Sequence, residues 1–448
     1  MPEHSMLGKL SPNHGLDKKQ QGAPDQMIEI KPLDISKKTT MTVRVPGSKS
    51  HTHRALIAAA LSSGVSRIKN SLDSEDIAHT MACLRQFGAR IEEDAHGVTV
   101  HGAGGAWRQV NDPIYLGNSG TSIRLLAGVA AIGAGRYILT GNHRMCQRPI
   151  QPLVDALRQV DVAARCLGEN GCPPVQIDGR RITGGRIDID CSLSSQFLSA
   201  LFFIAPFTDQ GLDIHVSSGL VSRPYVDMTI ETLGRFGIQV ERSGYEAFRI
   251  PGKQRYQAVE YLVEPDCSQA SYFWAAGAIT GVRATVLGTP KETAQGDVKI
   301  VELMSQMGCR VDYGDDGISV QGGELTAIDA DMGDMPDVAP TLAVVAAFAR
   351  GTTVIRNVAH LKAKESDRLA AVANELRKMG ICVEMGSDSL TIFGGSPRGA
   401  EIETYDDHRI AMSFGVAGLR VPGMRIKNEA CVSKSFPGFW TVLNSLIV

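Results

Sequence analysis

A period of about seventy residues runs through this chain, and it constrains the fold more than any other feature. Six short polar clusters each open an apolar, helix-like run. They are Gly47-Ser48-Lys49-Ser50, Asn118-Ser119-Gly120-Thr121-Ser122, Ser192-Leu193-Ser194-Ser195-Gln196, Asp266-Cys267-Ser268-Gln269, Pro336-Asp337-Val338-Ala339-Pro340 and Asp406-Asp407-His408-Arg409. The anchors Ser50, Ser119, Ser194, Ser268, Asp337 and Asp407 are 69, 75, 74, 69 and 70 residues apart. A second element keeps the same spacing and reads helix, Gly, strand, turn, strand. Its Gly positions are Gly88, Gly237, Gly308 and Gly380, and Leu157-Arg158-Gln159-Val160-Asp161 carries Asp in that place. Gly suits a helix C-cap, where the backbone turns left-handed. Each unit therefore holds two helices and several strands. There are about six units, the last finishing its helix near Leu446-Ile447-Val448, and the class is α/β.

Repeats build scaffolds without chemistry as readily as with it. What points to a ligand is the placing of Lys, Arg, His and Asp at the helix starts. A helix N-terminus has free N–H groups and a partial positive charge, so six of them at matched positions can converge on one anionic ligand. The first three clusters are rich in Ser, Thr, Gly, Gln and Lys, and the last three carry Asp. That asymmetry assigns anion binding mainly to the first half and proton transfer mainly to the second.

Bulk properties narrow the class. A chain of 448 residues is long enough for two domains with sizeable cores. A net charge of −2 argues against a nucleic-acid partner. No apolar run reaches the length of a membrane span. The first 27 residues are polar, lack the apolar core of a signal peptide, and read as a flexible leader. Nine Cys without a CxxC pair indicate neither a disulfide framework nor a zinc site, and a reducing cytoplasm fits.

Individual residues keep two readings at this level. Lys49, in a Gly-Ser turn into a helix, is a phosphate ligand or a solvated cation beside an ordinary cap. Gly120 lets a ligand press against backbone, or simply makes a turn. Arg148, Arg368, Arg409 and Lys434 are oxyanion ligands or surface ion-pair partners. Asp337, between Pro336 and an apolar helix, is a general acid/base with a pKa tuned by burial, or an N-cap. Glu365 is an ionised base and proton donor, or the i,i+3 partner of Arg368.

Taken together, Pro46-Gly47-Ser48-Lys49-Ser50 with Arg54, Leu116-Gly117-Asn118-Ser119-Gly120-Thr121 with Arg124, Arg148-Pro149-Ile150, Ser194-Ser195-Gln196-Phe197, Lys364-Glu365-Ser366-Asp367-Arg368 and Asp407-His408-Arg409 resemble the 5-enolpyruvylshikimate-3-phosphate synthases. The resemblance runs from about residue 28 to the end. It implies a two-lobed inside-out α/β barrel of six βαβαββ repeats, three per lobe. The first lobe would comprise residues 28–47 plus 265–448 and the second 48–264, with crossings near Val45–Ser48 and Val263–Asp266. It implies transfer of the enolpyruvyl group of phosphoenolpyruvate to the 5-hydroxyl of shikimate 3-phosphate, by addition and elimination, without metal or organic cofactor, in a cytoplasmic monomer. Carried over by motif, Lys49, Ser50, Arg54, Ser194, Ser195, Gln196, Ser222, Tyr225, Asp337 and Lys364 hold shikimate 3-phosphate. Lys49, Asn118, Gly120, Thr121, Arg148, Gln196, Arg368, Arg409 and Lys434 hold phosphoenolpyruvate. Asp337 moves the hydroxyl proton, Glu365 serves the methylene carbon, and Lys49 and His408 assist the leaving phosphate.

Three positions depart from the family's common pattern: His360 for Asn, Ser119 for Ala and Leu125 for Pro. The last two lie in the loop tied to tolerance of glyphosate, which occupies the phosphoenolpyruvate site. Gly120 is retained, and the expectation is sensitivity or partial tolerance. The nearest rival is the sister transferase acting on UDP-N-acetylglucosamine. Its reactive Cys lies about five residues before an Arg-Pro pair, whereas Cys146 is two residues before Arg148 and reads as incidental. A non-catalytic phospho-ligand binder on the same scaffold would not need Asp337, Glu365, Lys49 and His408 together.

Overall fold

The computed structural model describes residues 26–447. Most of the expected leader therefore lies outside the described residues, and Met27 already pairs with Lys427 in a strand. The helix–turn–hairpin element forms as its residues dictate. Gly88, Gly237, Gly308 and Gly380 turn the chain with φ of 113°, 82°, 99° and 83°. Asp161 takes the same left-handed position at φ 63°, which Asp tolerates better than most residues with a Cβ. A two-stranded antiparallel ladder follows each turn, as in Arg90–Asp94 against Gly97–His101 and Cys382–Met385 against Leu390–Phe393.

The complete unit is clearest between residues 114 and 179. Strand Ile114–Tyr115 leads into helix Gly120–Ala130, strand Gly135–Thr140, helix Gln151–Arg158 and the ladder Ala163–Cys166 with Val175–Gly179. The first two strands pair parallel, and the last strand returns antiparallel to the second. Six such sheets exist among the described residues, five of four strands and one of three. The three-stranded sheet is completed by the N-terminal strand Met27–Ile30, antiparallel to Met424–Lys427.

The helices that open at the polar clusters are Lys49–Leu61, Gly120–Ala130, Gln196–Ile204, Cys267–Thr280, Ala339–Ala346 and His408–Ala417. They are buried almost all round, as helices hydrophobic on every face must be. Sheets lie outside them, which inverts the usual barrel. Two separate apolar cores result. One draws on residues 30–45 and 267–446, the other on 55–263. Large side chains fill both, among them Phe273 and Trp274 in the first and Phe202 and Phe203 in the second; each contributes about 1.5–3 kcal/mol on burial.

Two of the repeats exchange their first strands where the chain passes between the lobes. Thr40–Val43 leads into helix Lys49–Leu61 of the second lobe but pairs with Arg283–Leu287 of the first. Glu260–Leu262 leads into helix Cys267–Thr280 of the first but pairs with Val65–Lys69 of the second. Between them Gly47 and Pro265 form a β-bridge. Ser48 N–H donates to the Glu264 carbonyl and Asp266 N–H to the Pro46 carbonyl, at 2.8 and 2.9 Å. A Cβ on Gly47 would lie 1.8 Å from the Asn70 carbonyl oxygen, so only Gly fits here.

Candidate active site

Residues at the starts of four of these helices line one cavity between the lobes, and the helix caps draw on the cluster residues. Ser48, Ser119, Asp266 and Asp407 accept hydrogen bonds from the first turns of their helices. Ser194 Oγ accepts from Gln196 N–H at 3.2 Å. Asp266 also reaches across the crossing to accept from Lys49 N–H at 2.9 Å. Asp337 caps nothing. It lies in the turn Pro336–Val338, ahead of a helix with no side-chain cap, which removes the N-cap reading and leaves its carboxylate free for the cleft.

A cavity at the meeting point is lined by Lys49, Ser50, Thr121, Arg148, Ser194, Ser195, Gln196, Ser222, Tyr225, Asp337, Lys364 and Glu365, with Arg124 and Leu193 completing the wall. Arg368 and Arg409 support Asp337, and Asn118, Gly120 and Lys434 lie around Arg148; His408 is buried, with Nδ1 3.8 Å from Asp407. Arg368 Nη1 and Arg409 Nη2 each donate to Asp337 at 3.0 Å, and Lys364 Nζ lies at 3.5 Å. Arg368 also pairs with Glu365 at 2.8 Å and with Asp407 at 2.8 Å. The i,i+3 pair of Glu365 with Arg368 is thus present, but Glu365 also faces Arg148 of the opposite lobe at 3.6 Å. Arg148 Nη1 donates to the Asn118 carbonyl at 2.9 Å, and a Cβ on Gly120 would lie 2.4 Å from Arg148 Nη2. Gln196 bridges Thr121 and Arg124, each at 3.0 Å.

Arg54 is placed differently from the expectation for a ligand. Its donors go to Thr229 Oγ1 and to the carbonyls of Ser50 and Tyr225, at 2.8, 2.9 and 3.0 Å. It does not line the cavity; it holds two residues that do. His360 is buried with Nε2 unpartnered among the described residues, and burial with Lys364 nearby lowers its pKa to about 3. Cys146 lies against Thr140 and the Gly141 carbonyl, away from the cavity lining.

Sequence reasoning missed three residues that organise the site. Asp76 is buried and pairs with Lys49 at 3.1 Å and with Lys434 at 2.7 Å, joining the two lobes. It sits in the ordinary-looking acidic helix start Ser74-Glu75-Asp76, which carries no signal of its own. Arg144 donates to the carbonyls of Lys362, Lys364 and Glu365 at 2.9–3.2 Å, again across the cleft. Asp297 lies behind Asp337 within reach of Tyr225. None of these falls in a polar cluster.

Electrostatics follow from burial among cations. Burial pushes the Asp337 carboxyl up, but Lys364, Arg409 and Arg368 outweigh it and hold it well below the ordinary range. Glu365 behaves alike under Arg148 and Arg368, and Asp76 under Lys434 and Lys49. Burial, with Lys49 and Arg409 beside it, holds His408 neutral. Such a site carries a ring of cations whose present partners are the protein's own carboxylates, which suits two phosphorylated carboxylic acids as ligands.

Comparison with known proteins agrees with this geometry. Residues 33–443 match the family model of EPSP synthase (3-phosphoshikimate 1-carboxyvinyltransferase). A 3-phosphoshikimate 1-carboxyvinyltransferase of Pseudoalteromonas atlantica is 43% identical over 410 residues, covering 90% of this chain and 96% of that one. That of a Sulfurovum species is 44% identical over 410 residues with the same coverage. The structure of EPSP synthase from Acinetobacter baumannii superposes with a TM-score of 0.79 at 30% identity, covering 94% of this chain and 98% of that one. The enolpyruvyl transferase NikO of Streptomyces tendae shares the fold, with a TM-score of 0.76 at 22% identity over 94% of this chain and 98% of its own. This chain belongs to the EPSP synthase family, the 3-phosphoshikimate 1-carboxyvinyltransferases.

Proposed function

We propose that the residues gathered at this cleft carry out the family's reaction: transfer of the enolpyruvyl group of phosphoenolpyruvate to the 5-hydroxyl of shikimate 3-phosphate, with release of phosphate. The observation that carries the assignment of roles is the shared cation ring around Asp337 and Glu365. Ser194, Ser195, Gln196 and Ser222, with Lys49, Ser50 and Lys364, take the phosphate and hydroxyls of shikimate 3-phosphate, and Tyr225 closes its wall. Arg54 contributes by fixing Ser50 and Tyr225. Arg148, Arg368, Arg409, Lys434, Lys49, Gln196 and the backbone at Asn118–Thr121 take the phosphate and carboxylate of phosphoenolpyruvate.

Chemistry then follows from competition for the cations. The carboxylate of phosphoenolpyruvate claims the Arg368 and Arg409 forks, and its phosphate claims Arg148 and Lys434. Asp337 loses the charges that depress it, and burial raises it toward the working pH, where it accepts the 5-hydroxyl proton. Glu365, relieved in the same way, becomes able to carry a proton to the methylene carbon and take it back on elimination. Lys49 and His408 assist departure of phosphate. The same reading makes the protein a cytoplasmic monomer. It divides the chain at 47/48 and 264/265, which the two cores support. It also makes glyphosate a competitor of phosphoenolpyruvate, with Gly120 leaving Arg148 in place; an inhibition constant far above the phosphoenolpyruvate KM would reject sensitivity.

The test is phosphate release from phosphoenolpyruvate with shikimate 3-phosphate or UDP-N-acetylglucosamine as acceptor. Release with shikimate 3-phosphate alone is expected. Release only with the nucleotide sugar, or with neither acceptor in folded protein, would overturn the assignment.

A further inference from the structure

Behind Asp337 stands a second carboxyl to which the reaction above gives no part. Asp297 lies in the turn Gly296–Lys299 and is 3% exposed. Its Oδ2 accepts a hydrogen bond from Ser268 Oγ and lies 3.4 Å from the Tyr225 hydroxyl. Its Oδ1 has no partner among the described residues. The same Tyr225 hydroxyl lies 3.5 Å from Asp337 Oδ2. A phenol has one proton and cannot donate to two carboxylates. If both were ionised, one contact would set oxygen lone pairs against each other in a dry interior. Asp337 has three cations around it, whereas no cation hydrogen-bonds Asp297 among the described residues. Two like charges sharing a site resolve their repulsion by one of them keeping a proton.

We propose that Asp297 is a positioning residue for enolpyruvyl transfer: as a neutral acid it donates to the Tyr225 oxygen, which turns the Tyr225 proton onto Asp337 and keeps Asp337 ionised to accept the hydroxyl proton. This rests on the reading of Asp337 as that acceptor. The surroundings favour the neutral form. Burial first, then Asp337, push Asp297 up to about 7; Asp266 adds to this, while Arg409 and the Ser268 hydroxyl oppose it. Cys267, on the same helix start, stays a thiol because burial raises its pKa. Tyr225 keeps its proton, since burial together with Asp297 and Asp337 raises its pKa well above the ordinary phenol value. When Asp297 ionises, Tyr225 is drawn back toward it and Asp337 loses its donor.

The experiment compares Asp297→Asn, Asp297→Ala and Tyr225→Phe in full-length protein, each checked for fold by circular dichroism. The amide of Asp297→Asn can donate to Tyr225 at any pH. It should abolish the alkaline limb of kcat that Asp297 ionisation gives the parent, and should exceed Asp297→Ala in kcat by about tenfold, the worth of one such buried hydrogen bond. Equal losses in the Asn and Ala variants with the parent's pH profile intact would overturn the positioning role. Infrared difference spectra between parent and Asp297→Asn read the proton without turnover: a protonated-carboxyl band at about pH 6 that fades by about pH 9 is expected, and its absence overturns the neutral acid. Asp337→Asn is measured alongside. Full activity there sinks the reading of Asp337 as the base, while the infrared band still decides the state of Asp297.

Discussion

In the proposed mechanism Asp337 and Glu365 are silent in the free protein and competent with substrate. Both are buried, and both are held ionised by arginines that the substrates' own anions are placed to claim. Asp337→Ala should therefore lower kcat by about 10²-fold or more, the usual scale of general acid–base catalysis, with both substrates still bound; pre-steady-state binding and turnover separate the two effects. Gly120→Ala tests the anion side. The added Cβ would meet the Arg148 guanidinium at 2.4 Å, and displacing it costs one charge-assisted hydrogen bond to phosphoenolpyruvate, about 1.5–3 kcal/mol. The KM for phosphoenolpyruvate should rise about tenfold or more, with that for shikimate 3-phosphate little altered. Equal rises in both would place Arg148 outside the phosphoenolpyruvate subsite.

At the scale of elements, the left-handed turn after each outer helix is the most transferable rule. Asp161 is the one non-Gly residue in the series, and Asp161→Gly should stabilise the second lobe by about 1 kcal/mol through relief of the αL penalty; a shift of the urea midpoint to lower concentration would contradict this. That series is also why so much of the fold was legible in the sequence. Gly88, Gly237, Gly308 and Gly380 mark ends that local chemistry demands, and Ser48, Ser119 and Asp407 mark starts. The exchange of Thr40–Val43 and Glu260–Leu262 between sheets was not legible from spacing, because either pairing satisfies the same apolar alternation. Within the site, residues in the polar clusters could be found from their placing. Asp76, Arg144 and Asp297 could not, since each acts by reaching across the cleft or behind another residue. Arg54 was legible as important, but its partners, the Thr229 hydroxyl and two backbone carbonyls, are named by no motif.

For the whole molecule, ion pairs and hydrogen bonds hold the two lobes together across the cleft. Asp76 with Lys434, Glu365 with Arg148, Arg223 with Asp334 and Arg144 with three carbonyls all span the cleft. Asp76, Glu365 and Asp337 have depressed pKa values, so the stability they lend is complete above the ordinary carboxylate range and is lost as pH falls through their lowered values. Asp297, raised, acts oppositely, and its contribution falls as pH rises from the ordinary range to about 7. Acid should thus open the cleft before either core melts. Small-angle scattering should show the radius of gyration rising on acidification while far-ultraviolet circular dichroism is still native; simultaneous change in both would contradict it. Arg144→Ala should lower kcat/KM and weaken closure at neutral pH in the same assay.

The bridge between Gly47 and Pro265 has a further consequence for how the polypeptide can be cut and rejoined. Because the two crossings lie side by side, the proposed division makes the 48–264 stretch a cassette slotted into a host at a single seam. Each half keeps all its own sheet partners, since the exchanged strands fall on the correct side of the seam. A gene that joins residue 47 to residue 265 through a few glycines should encode a folded half-molecule, and so should one for 48–264. Neither half alone should turn over substrate, and mixing them should restore activity with a concentration dependence that measures the attraction of one face of the cleft for the other.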